Sequence, residues 1–279
     1  MMLLPCLGAL TFVVAYPTIF LLRTSLQSWN LLVGIRTPVG LANYAAILSD
    51  RLFQQSVLRT LEYSVVCVLA ELALGFVLAT LFNREVLGVG LLRTLLVTPL
   101  LIAPVATGLT WRFMYEPSIG VINQVLRHTG LPAVLWISSP RLALTGVGIA
   151  EVWQWTPFVF LVLLAGFKGL SENLDEAAQL DGASWARRFW LIQVPLLRPV
   201  ILVVVLLRFI DIFRTFDLVY VMTRGGPGDA TYTLAFYNYV LGFTQFQVGM
   251  ACAAAVLAMA FATAVTTVLL RQLFRPEAP

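Results

Sequence analysis

Six apolar stretches, each about 20 residues long or longer, constrain the fold of this chain more than any other feature. They cover about residues 3–22, 61–82, 95–114, 142–167, 196–222 and 248–270. A helix needs about 20 mostly apolar residues to cross the hydrocarbon core of a bilayer. Within that core a helix bonds its own backbone N–H and C=O groups. The pattern therefore predicts an all-α, polytopic membrane protein with six transmembrane helices, a retained first span and a single domain over residues 1–279.

The composition also favours a membrane protein. Hydrophobic residues make up 59% of the chain and charged residues 11%, whereas soluble domains carry about 25% charged residues. A soluble fold of 279 residues cannot enclose that much apolar surface, which argues against a soluble enzyme. The net charge of +4 is dispersed, without the basic runs of nucleic-acid-binding proteins. We therefore expect no nucleic acid partner and expect basic residues to contact membrane lipid.

The sequence offers no set of residues suited to catalysis or to a metal. Cys6, Cys67 and Cys252 lie far apart in apolar stretches, and His128 is the single histidine. Zinc sites and catalytic triads need several such groups together. The phosphate-binding pattern G-x-x-x-x-G-K-[ST] is also missing from the sequence. We therefore expect no catalytic residue, metal or cofactor in this chain, so a nucleotide would have to bind to another chain.

The connection of residues 168–194 carries the densest charge and predicts a kinked helix at the membrane surface. Asn173 is suited to cap this helix, and Glu176, three residues later, completes a capping box. Asp175 adds negative charge to the first turn, where the helix dipole favours it. Gly182 interrupts the helix. The pattern alone leaves open whether this is an ordinary solvated helix or a docking surface.

The spacing within this connection resembles the EAA loop of permease subunits of bacterial ABC importers. The resemblance rests on Glu176-Ala177-Ala178, Asp181-Gly182-Ala183, Phe189, Ile192, Pro195-Leu196 and Pro199. Other segments resemble the carbohydrate-uptake branch of that family, and in particular the first permease of a pair. These are Gly40–Tyr44, Arg93–Pro99, Trp153–Phe158, and Gly225–Pro227 followed by Thr231, Thr233, Leu234 and Tyr237. The similarity covers nearly the whole chain.

This resemblance implies a function and a set of partners. It implies a permease that forms half of the translocation path for a sugar, expected to be a di- or oligosaccharide. The implied partners are a second homologous permease, two ATPase subunits that bind ATP and Mg, and an extracytoplasmic sugar-binding protein. The implied location is the bacterial cytoplasmic membrane with both termini in the cytoplasm, which the Lys and Arg distribution favours weakly. A polyol or glycerol phosphate as substrate and an ion-coupled secondary transporter are the alternatives.

In the EAA family this loop is a cytoplasmic coupling helix that docks on the ATPase. The residues to which the resemblance assigns that role are Asp175, Glu176, Ala177, Ala178, Asp181, Gly182, Ala183, Arg187 and Phe189. The acidic side chains are suited to a basic cleft, and the alanines permit close approach. For Arg187, contact with lipid phosphates is an equal alternative.

Four charged residues, Arg208, Asp211, Arg214 and Asp217, interrupt the fifth apolar stretch. A charge that faces lipid costs about 2.5–3.5 kcal/mol on insertion scales, so these side chains must face protein, water or each other. Helical spacing puts Arg208, Asp211 and Thr215 on one face. Two interpretations stay open: neutralising pairs that hold subunits together, or a face that lines the substrate path.

The predicted substrate path combines that face with the fourth apolar stretch. By the family resemblance, sugar contacts come from the spans that flank the EAA loop, which selects Gln154, Trp155, Phe158, Arg208, Asp211 and Thr215. Aromatic faces beside polar groups suit a pyranose ring, which has apolar faces and polar edges. For Trp155 alone, packing is the simpler interpretation. Glu71 and Glu151 are further acids inside apolar stretches, and we expect each to face a cavity or a partner helix.

Overall fold

The computed structural model describes residues 4–83, 89–171 and 177–273. Its helices are α1 (Leu4–Ser25), α2 (Ala42–Ser49), α3 (Arg51–Phe82), α4 (Val89–Val97), α5 (Pro104–Met114), α6 (Val121–His128), α7 (Ala143–Lys168), α8 (Trp185–Arg188), α9 (Val194–Leu196), α10 (Arg198–Phe213), α11 (Asp217–Met222), α12 (Leu234–Tyr239) and α13 (Val248–Leu273). A 3₁₀ turn covers Thr98–Leu101, and π-helical turns cover Phe189–Gln193 and Val240–Thr244. The strands β1 (Gln27–Trp29) and β2 (Arg36–Pro38) form an antiparallel hairpin that the sequence analysis did not predict.

Four helical segments in the described part of the chain are long and apolar enough to cross a membrane. They are Gly8–Ser25 in α1, all of α3 and α7, and Val248–Val268 in α13. The bent pair Gly90–Leu101 and Pro104–Met114 adds a fifth if it counts as one span. The predicted helical membrane protein is confirmed, and the count of six spans stays a prediction. Helix α3 begins at Arg51, well before the span start predicted near Leu61.

The third predicted stretch is not one straight helix, because it bends by 98° between α4 and α5. Ile102 and Ala103 have extended backbones, with ψ values of 132° and 139°. Ala103 precedes Pro104, and proline disfavours helical geometry in the residue before it. Pro104 then occupies the first turn of α5, where its missing N–H costs nothing. The effect of Pro104 on the residue before it therefore explains the bend.

The fifth predicted stretch is divided between α10, with 16 residues, and α11, with 6. Helix α10 ends at Phe213, and Arg214 leaves the helix with φ of −97° and ψ of 3°. A helix of that length extends about 24 Å, less than the roughly 30 Å of a hydrocarbon core. The expectation that Thr215 continues the helical face of Arg208 and Asp211 is therefore wrong, because Thr215 lies in the link between α10 and α11.

The contacts divide the chain into two compact units, residues 1–60 with 232–265 and residues 61–231 with 266–279. In the first unit, the side-chain amide of Asn43 donates hydrogen bonds to the carbonyls of Ser25 and Gln27, at 2.8 and 2.9 Å. The hydroxyl of Tyr237 donates to the carboxylate of Asp50 at 2.7 Å. Burial, helped by that carboxylate, raises the pKa of Tyr237 above its ordinary value, so the phenol stays a neutral donor.

In the second unit, α7 packs closely against its neighbours at glycines. A Cβ atom added to Gly75 of α3 would lie 2.7 Å from Cγ1 of Val159, and one added to Gly166 of α7 would lie 2.8 Å from Cδ2 of Leu197. Neither position has room for a side chain, so glycine permits both approaches. The buried core around α7 consists of Ala79, Val159, Phe160, Leu163, Leu164, Phe167, Phe189, Leu197 and Val204.

The predicted turn at Gly225–Gly228 is present in the second unit. Gly225 and Gly228 have φ values of 82° and 61°, which glycine adopts without strain. The hydroxyls of Thr223 and Thr231 lie 2.7 Å apart and tie the two sides of the turn together.

Candidate functional site: a coupling turn and a buried arginine cluster

Residues 177–180 are helical and end in a tight turn at Gly182. We use the name coupling turn for residues 177–189, which include α8 and Phe189. The N–H of Ala183 donates to the carbonyl of Ala178 at 2.9 Å, and the N–H of Gly182 donates to that of Gln179 at 3.0 Å. Gly182 has a φ of +75°. This pair of bonds with a left-handed residue is a Schellman motif, in which glycine is favoured because it has no Cβ. The interruption predicted at Gly182 is confirmed.

A second helix starts immediately after this turn. Ser184 has an extended backbone and caps α8, with its Oγ accepting a hydrogen bond from the backbone N–H of Arg187 at 3.4 Å. Serine is among the preferred residues at this position because its side chain satisfies a free backbone donor. Ser184 was not among the predicted residues, although a serine just after a helix-ending glycine is a usable signal.

The coupling turn presents both exposed and buried faces. Leu180 is 90% exposed, and Trp185, Trp190 and Leu191 are also exposed apolar side chains. Of the residues predicted to couple, Ala177, Asp181, Gly182 and Arg187 are exposed, Ala183 is half-buried, and Ala178 and Phe189 are buried. Asp175 and Glu176, with the predicted cap at Asn173, lie outside the described residues.

Phe189 connects the coupling turn to the helical core. Its ring stacks on Trp185 with centroids 5.4 Å apart and packs against Phe76 and Phe167 at 5.9 and 6.4 Å. Phe76 belongs to α3 and Phe167 to α7, so one buried ring links the turn to two long helices. A force applied to the turn therefore reaches both helices through close-packed side chains.

A second constellation, the Arg208 cluster, lies on the same helices. We use this name for Arg208, Glu71, Glu151, Asp211 and Trp155. The guanidinium of Arg208 donates to both carboxylate oxygens of Glu71, at 2.7 and 2.9 Å, and to Glu151 at 2.7 Å. Its Nη1 lies 3.5 Å from Asp211, and its Cζ lies 4.4 Å from the centre of the Trp155 ring.

The Arg208 cluster joins three helices through charge. Glu71 belongs to α3, Glu151 and Trp155 to α7, and Arg208 and Asp211 to α10. The Arg208, Glu71 and Glu151 side chains are buried, whereas the Asp211 side chain is 50% exposed. Buried charges of this kind are tolerated only when they are paired and hydrogen-bonded. The expectation that Glu71 and Glu151 face a partner helix is confirmed, and the sequence did not identify Arg208 as that partner.

The structure brings three of the predicted path residues together, namely Trp155, Arg208 and Asp211. Gln154 is buried and donates to the carbonyl of Ile102 at 2.7 Å, and its Oε1 has no partner among the described residues. Phe158 packs against the core around α7. In this conformation the guanidinium of Arg208 faces its own chain, and contact of these residues with a substrate stays a prediction.

Residues 64–275 match the family described as binding-protein-dependent transport system inner membrane component. The chain belongs to this family. The resemblance to permease subunits of ABC sugar importers is thereby confirmed, and the transport subunit lies in the inner membrane.

Relatives of this transport subunit extend over most of its length. It is 39% identical over 245 residues to the trehalose/maltose transport system permease protein MalF of Thermococcus litoralis, which covers 87% of this chain and 83% of the relative. It is 35% identical over 231 residues to the sn-glycerol-3-phosphate transport system permease protein UgpA of Agrobacterium fabrum, which covers 82% of this chain and 78% of the relative.

The fold of this transport subunit is also that of a solved structure. A chain in the crystal structure of a bacterial ABC transporter involved in the import of the acidic polysaccharide alginate matches with a TM-score of 0.86. The match covers 99% of this chain and 95% of the other, at 22% sequence identity. At that identity the likeness establishes the fold alone.

Among the described residues, no group of three or more His, Cys, Asp or Glu side chains is arranged to hold a metal ion. The acids of the Arg208 cluster are directed at the guanidinium. The structural roles of the two sites differ. The coupling turn is a surface turn held by the buried ring of Phe189, and the Arg208 cluster links α3, α7 and α10.

Proposed function

We propose that this chain is the permease subunit of an ATP-driven sugar importer and forms half of the translocation path. The observation that supports this most is the coupling turn, which exposes Leu180 and Trp185 while Phe189 is anchored between α3 and α7. The family is a transport component, and a relative is named for trehalose and maltose. The expected substrate is a di- or oligosaccharide.

The partners follow from this function. A second homologous permease completes the path, and an extracytoplasmic sugar-binding protein delivers the substrate. Two ATPase subunits bind ATP and Mg, so this chain needs neither a cofactor nor a catalytic site of its own. Because the coupling turn must meet those ATPases, it faces the cytoplasm, and both termini lie on the same side.

In the proposed mechanism, the ATPases move the coupling turn and the turn moves α3 and α7. The exposed apolar side chains at Leu180 and Trp185 contact the ATPase, and the buried ring of Phe189 carries the displacement inward. Phe167 and Glu151 are sixteen residues apart on α7, about 24 Å along the helix. The Arg208 cluster therefore fastens the three helices far from the turn, so that they move together and alternate the access of the path.

The Arg208 cluster favours a neutral sugar over a glycerol phosphate. A phosphate site requires free positive charge, and the guanidinium of Arg208 is already held by Glu71 and Glu151. Placing a phosphate beside those two carboxylates would bring like charges together. The similarity to a permease named for sn-glycerol-3-phosphate keeps that substrate as the second candidate.

A transport assay in proteoliposomes tests this function. The complete complex is reconstituted with its binding protein, and uptake of radiolabelled trehalose, maltose and glycerol 3-phosphate is measured with ATP inside. We expect ATP-dependent uptake of a disaccharide, with no uptake when the ATPase subunit lacks its phosphate-binding lysine. Uptake of glycerol 3-phosphate alone would select the second candidate, and uptake driven by an ion gradient without ATP would reject the importer.

A further inference from the structure

The tip of the β1–β2 hairpin is an exposed apolar surface that the coupling mechanism does not use. Leu31, Leu32, Val33 and Ile35 are 53%, 75%, 65% and 64% exposed. No charged residue lies between Trp29 and Arg36 in the sequence. Contiguous exposed apolar side chains of this kind mark an interaction surface.

The hairpin is held firmly by its own unit of the fold. Its strands pair Gln27 with Pro38 and Trp29 with Arg36. The amide of Asn43 bonds the Gln27 carbonyl, and Asn30 forms a β-bridge with Gln247. The apolar tip is therefore presented in a fixed position.

The hairpin lies beside the end of the first apolar helix. Helix α1 ends at Ser25 and β1 begins at Gln27. The ring of Trp29 packs edge-on against Phe20, with centroids 6.4 Å apart. Phe20 lies five residues before the helix end, about 7.5 Å along its axis. The strand end next to the tip is thus level with the last turns of α1, where Ile19 and Leu22 are exposed apolar side chains.

Three backbone N–H groups of the tip are hydrogen-bonded within the protein. The N–H of Leu31 donates to the carbonyl of Phe246 at 2.9 Å. The N–H of Leu32 donates to Oδ1 of Asn30 at 2.9 Å, and the N–H of Gly34 donates to the carbonyl of Asn30 at 3.0 Å. An unbonded N–H costs several kcal/mol in hydrocarbon, about as much as any burial of an unpaired polar group. These three bonds lower the free-energy cost of placing the tip in a medium without water.

Two charged side chains border the tip, one at the strand end beside it and one in the last turn of α1. The guanidinium carbon of Arg36 is 3.7 Å from the centre of the Trp29 ring, and Arg23 is exposed in the last turn of α1. Tryptophan is enriched at the membrane interface, and a long basic side chain places its charge at the headgroups while its stem stays in apolar surroundings. The apolar tip is thus followed along the hairpin by an aromatic ring with a guanidinium over it.

We infer that the hairpin tip inserts into the bilayer leaflet at the Ser25 end of α1, where lipid acyl chains contact Leu31, Leu32, Val33 and Ile35. Arg23 and Arg36 then lie at the phosphates of the headgroups. The orientation proposed above makes this the outer leaflet. The inference requires only that α1 crosses the membrane, and it holds for any substrate. A second permease and the sugar-binding protein are the other occupants that such a surface could have.

Fluorescence quenching in lipid nanodiscs distinguishes these occupants. In a complete complex whose permease carries Cys6→Ser, Cys67→Ala and Cys252→Ala, Leu32→Cys is labelled with the environment-sensitive fluorophore NBD. The matched control is Ala133→Cys, an exposed position in the connection predicted to lie on the same side of the membrane. Nitroxide groups on lipid acyl chains quench a probe in the bilayer, and iodide quenches a probe in water.

We expect nitroxide lipid to quench the probe at position 32 at least twofold more than at position 133, with the reverse order for iodide. Equal iodide quenching at both positions would overturn the inference. Protection that appears only when the binding protein is added would assign the surface to that protein. Protection from both quenchers without the binding protein would assign it to the second permease. Val33→Cys provides the same measurement if the first variant does not assemble.

Discussion

Arg208 is a buried cation whose partners come from two other helices. The idealised cost of moving such an ion out of water is large, and the pair is tolerated because Glu71 and Glu151 bond it at 2.7 Å. The two carboxylates also depend on Arg208, so its removal would leave two acids buried without their cation. Asp211 depends on Arg208 less, because the Asp211 side chain is half exposed to solvent. Its Oδ2 also lies 3.5 Å from Nη1 of Arg208, which is a longer contact.

Replacing Arg208 should therefore destabilise the second unit strongly. We predict that Arg208→Met lowers the free energy of unfolding by about 3–5 kcal/mol, the usual cost of breaking one side of a buried ion pair. The triple variant Arg208→Met, Glu71→Gln, Glu151→Gln should recover a large part of that loss, since no buried charge is left unpaired. Thermal unfolding of the purified complex in detergent measures both variants.

Asp211→Asn is the matched control for this prediction. A half-exposed ion pair contributes about 1 kcal/mol or less, so we expect only a small change in unfolding temperature. If Asp211→Asn lowered the unfolding temperature as much as Arg208→Met, that would contradict the proposal that Glu71 and Glu151, and not Asp211, are the partners that stabilise Arg208. A triple variant that is no more stable than Arg208→Met alone would contradict the same proposal.

At the scale of elements, the coupling turn depends on one backbone conformation. The φ of +75° at Gly182 costs a residue with a Cβ about 1–2 kcal/mol, and asparagine less than other residues. A Cβ atom at Gly182 would meet no other atom within 4 Å. A substitution there therefore acts through the backbone turn rather than through a clash.

This makes Gly182 a test of coupling with an internal control. We predict that Gly182→Val lowers the ratio of sugar uptake to ATP hydrolysis about tenfold, because a strain of about 1–2 kcal/mol shifts the turn away from its docking geometry. Gly182→Asn should keep most of that ratio. Uptake and hydrolysis are measured on the same proteoliposomes, and normal uptake by Gly182→Val would count against a coupling role.

The elements also show what sequence reasoning can and cannot supply. The glycine turn at Gly182 was predictable because glycine, which has no Cβ, is the residue most suited to interrupt a helix in this way. The bend at Pro104 could have been predicted from the rule that proline excludes a helical residue before it. The division of the fifth stretch after Phe213 has no comparable local signal, since Arg214 and Thr215 are compatible with a helix.

The partners of Arg208 illustrate the same limit for the candidate site. Spacing along one helix pointed to Asp211, three residues away, which is the weaker contact at 3.5 Å. The stronger contacts come from Glu71 and Glu151, which are distant in sequence and are brought close by the packing of α3, α7 and α10. Chemistry predicted that these acids need partners, and only the tertiary structure identifies which ones.

At the scale of the whole molecule, the chain is a transmembrane transport subunit that, as we propose, its ATPase partners move from outside. The family is a transport component, and the fold matches that of a chain in a solved ABC transporter. The exposed residues of the coupling turn and the buried Phe189 provide a route from a surface contact to the long helices. The hairpin tip, on the other unit, is proposed to contact lipid instead.

Site-specific cross-linking between Leu180 and the ATPase tests the central claim most directly. In the complete complex, Leu180→Cys carries a short photoactivated cross-linker, and Ala133→Cys, on the opposite side in the proposed orientation, is the control. We predict that position 180 cross-links to the ATPase subunit, that the yield changes between nucleotide-free and ATP-bound states, and that position 133 gives no such product. A labelled position 180 that yields no cross-link to the ATPase in any nucleotide state would contradict the account.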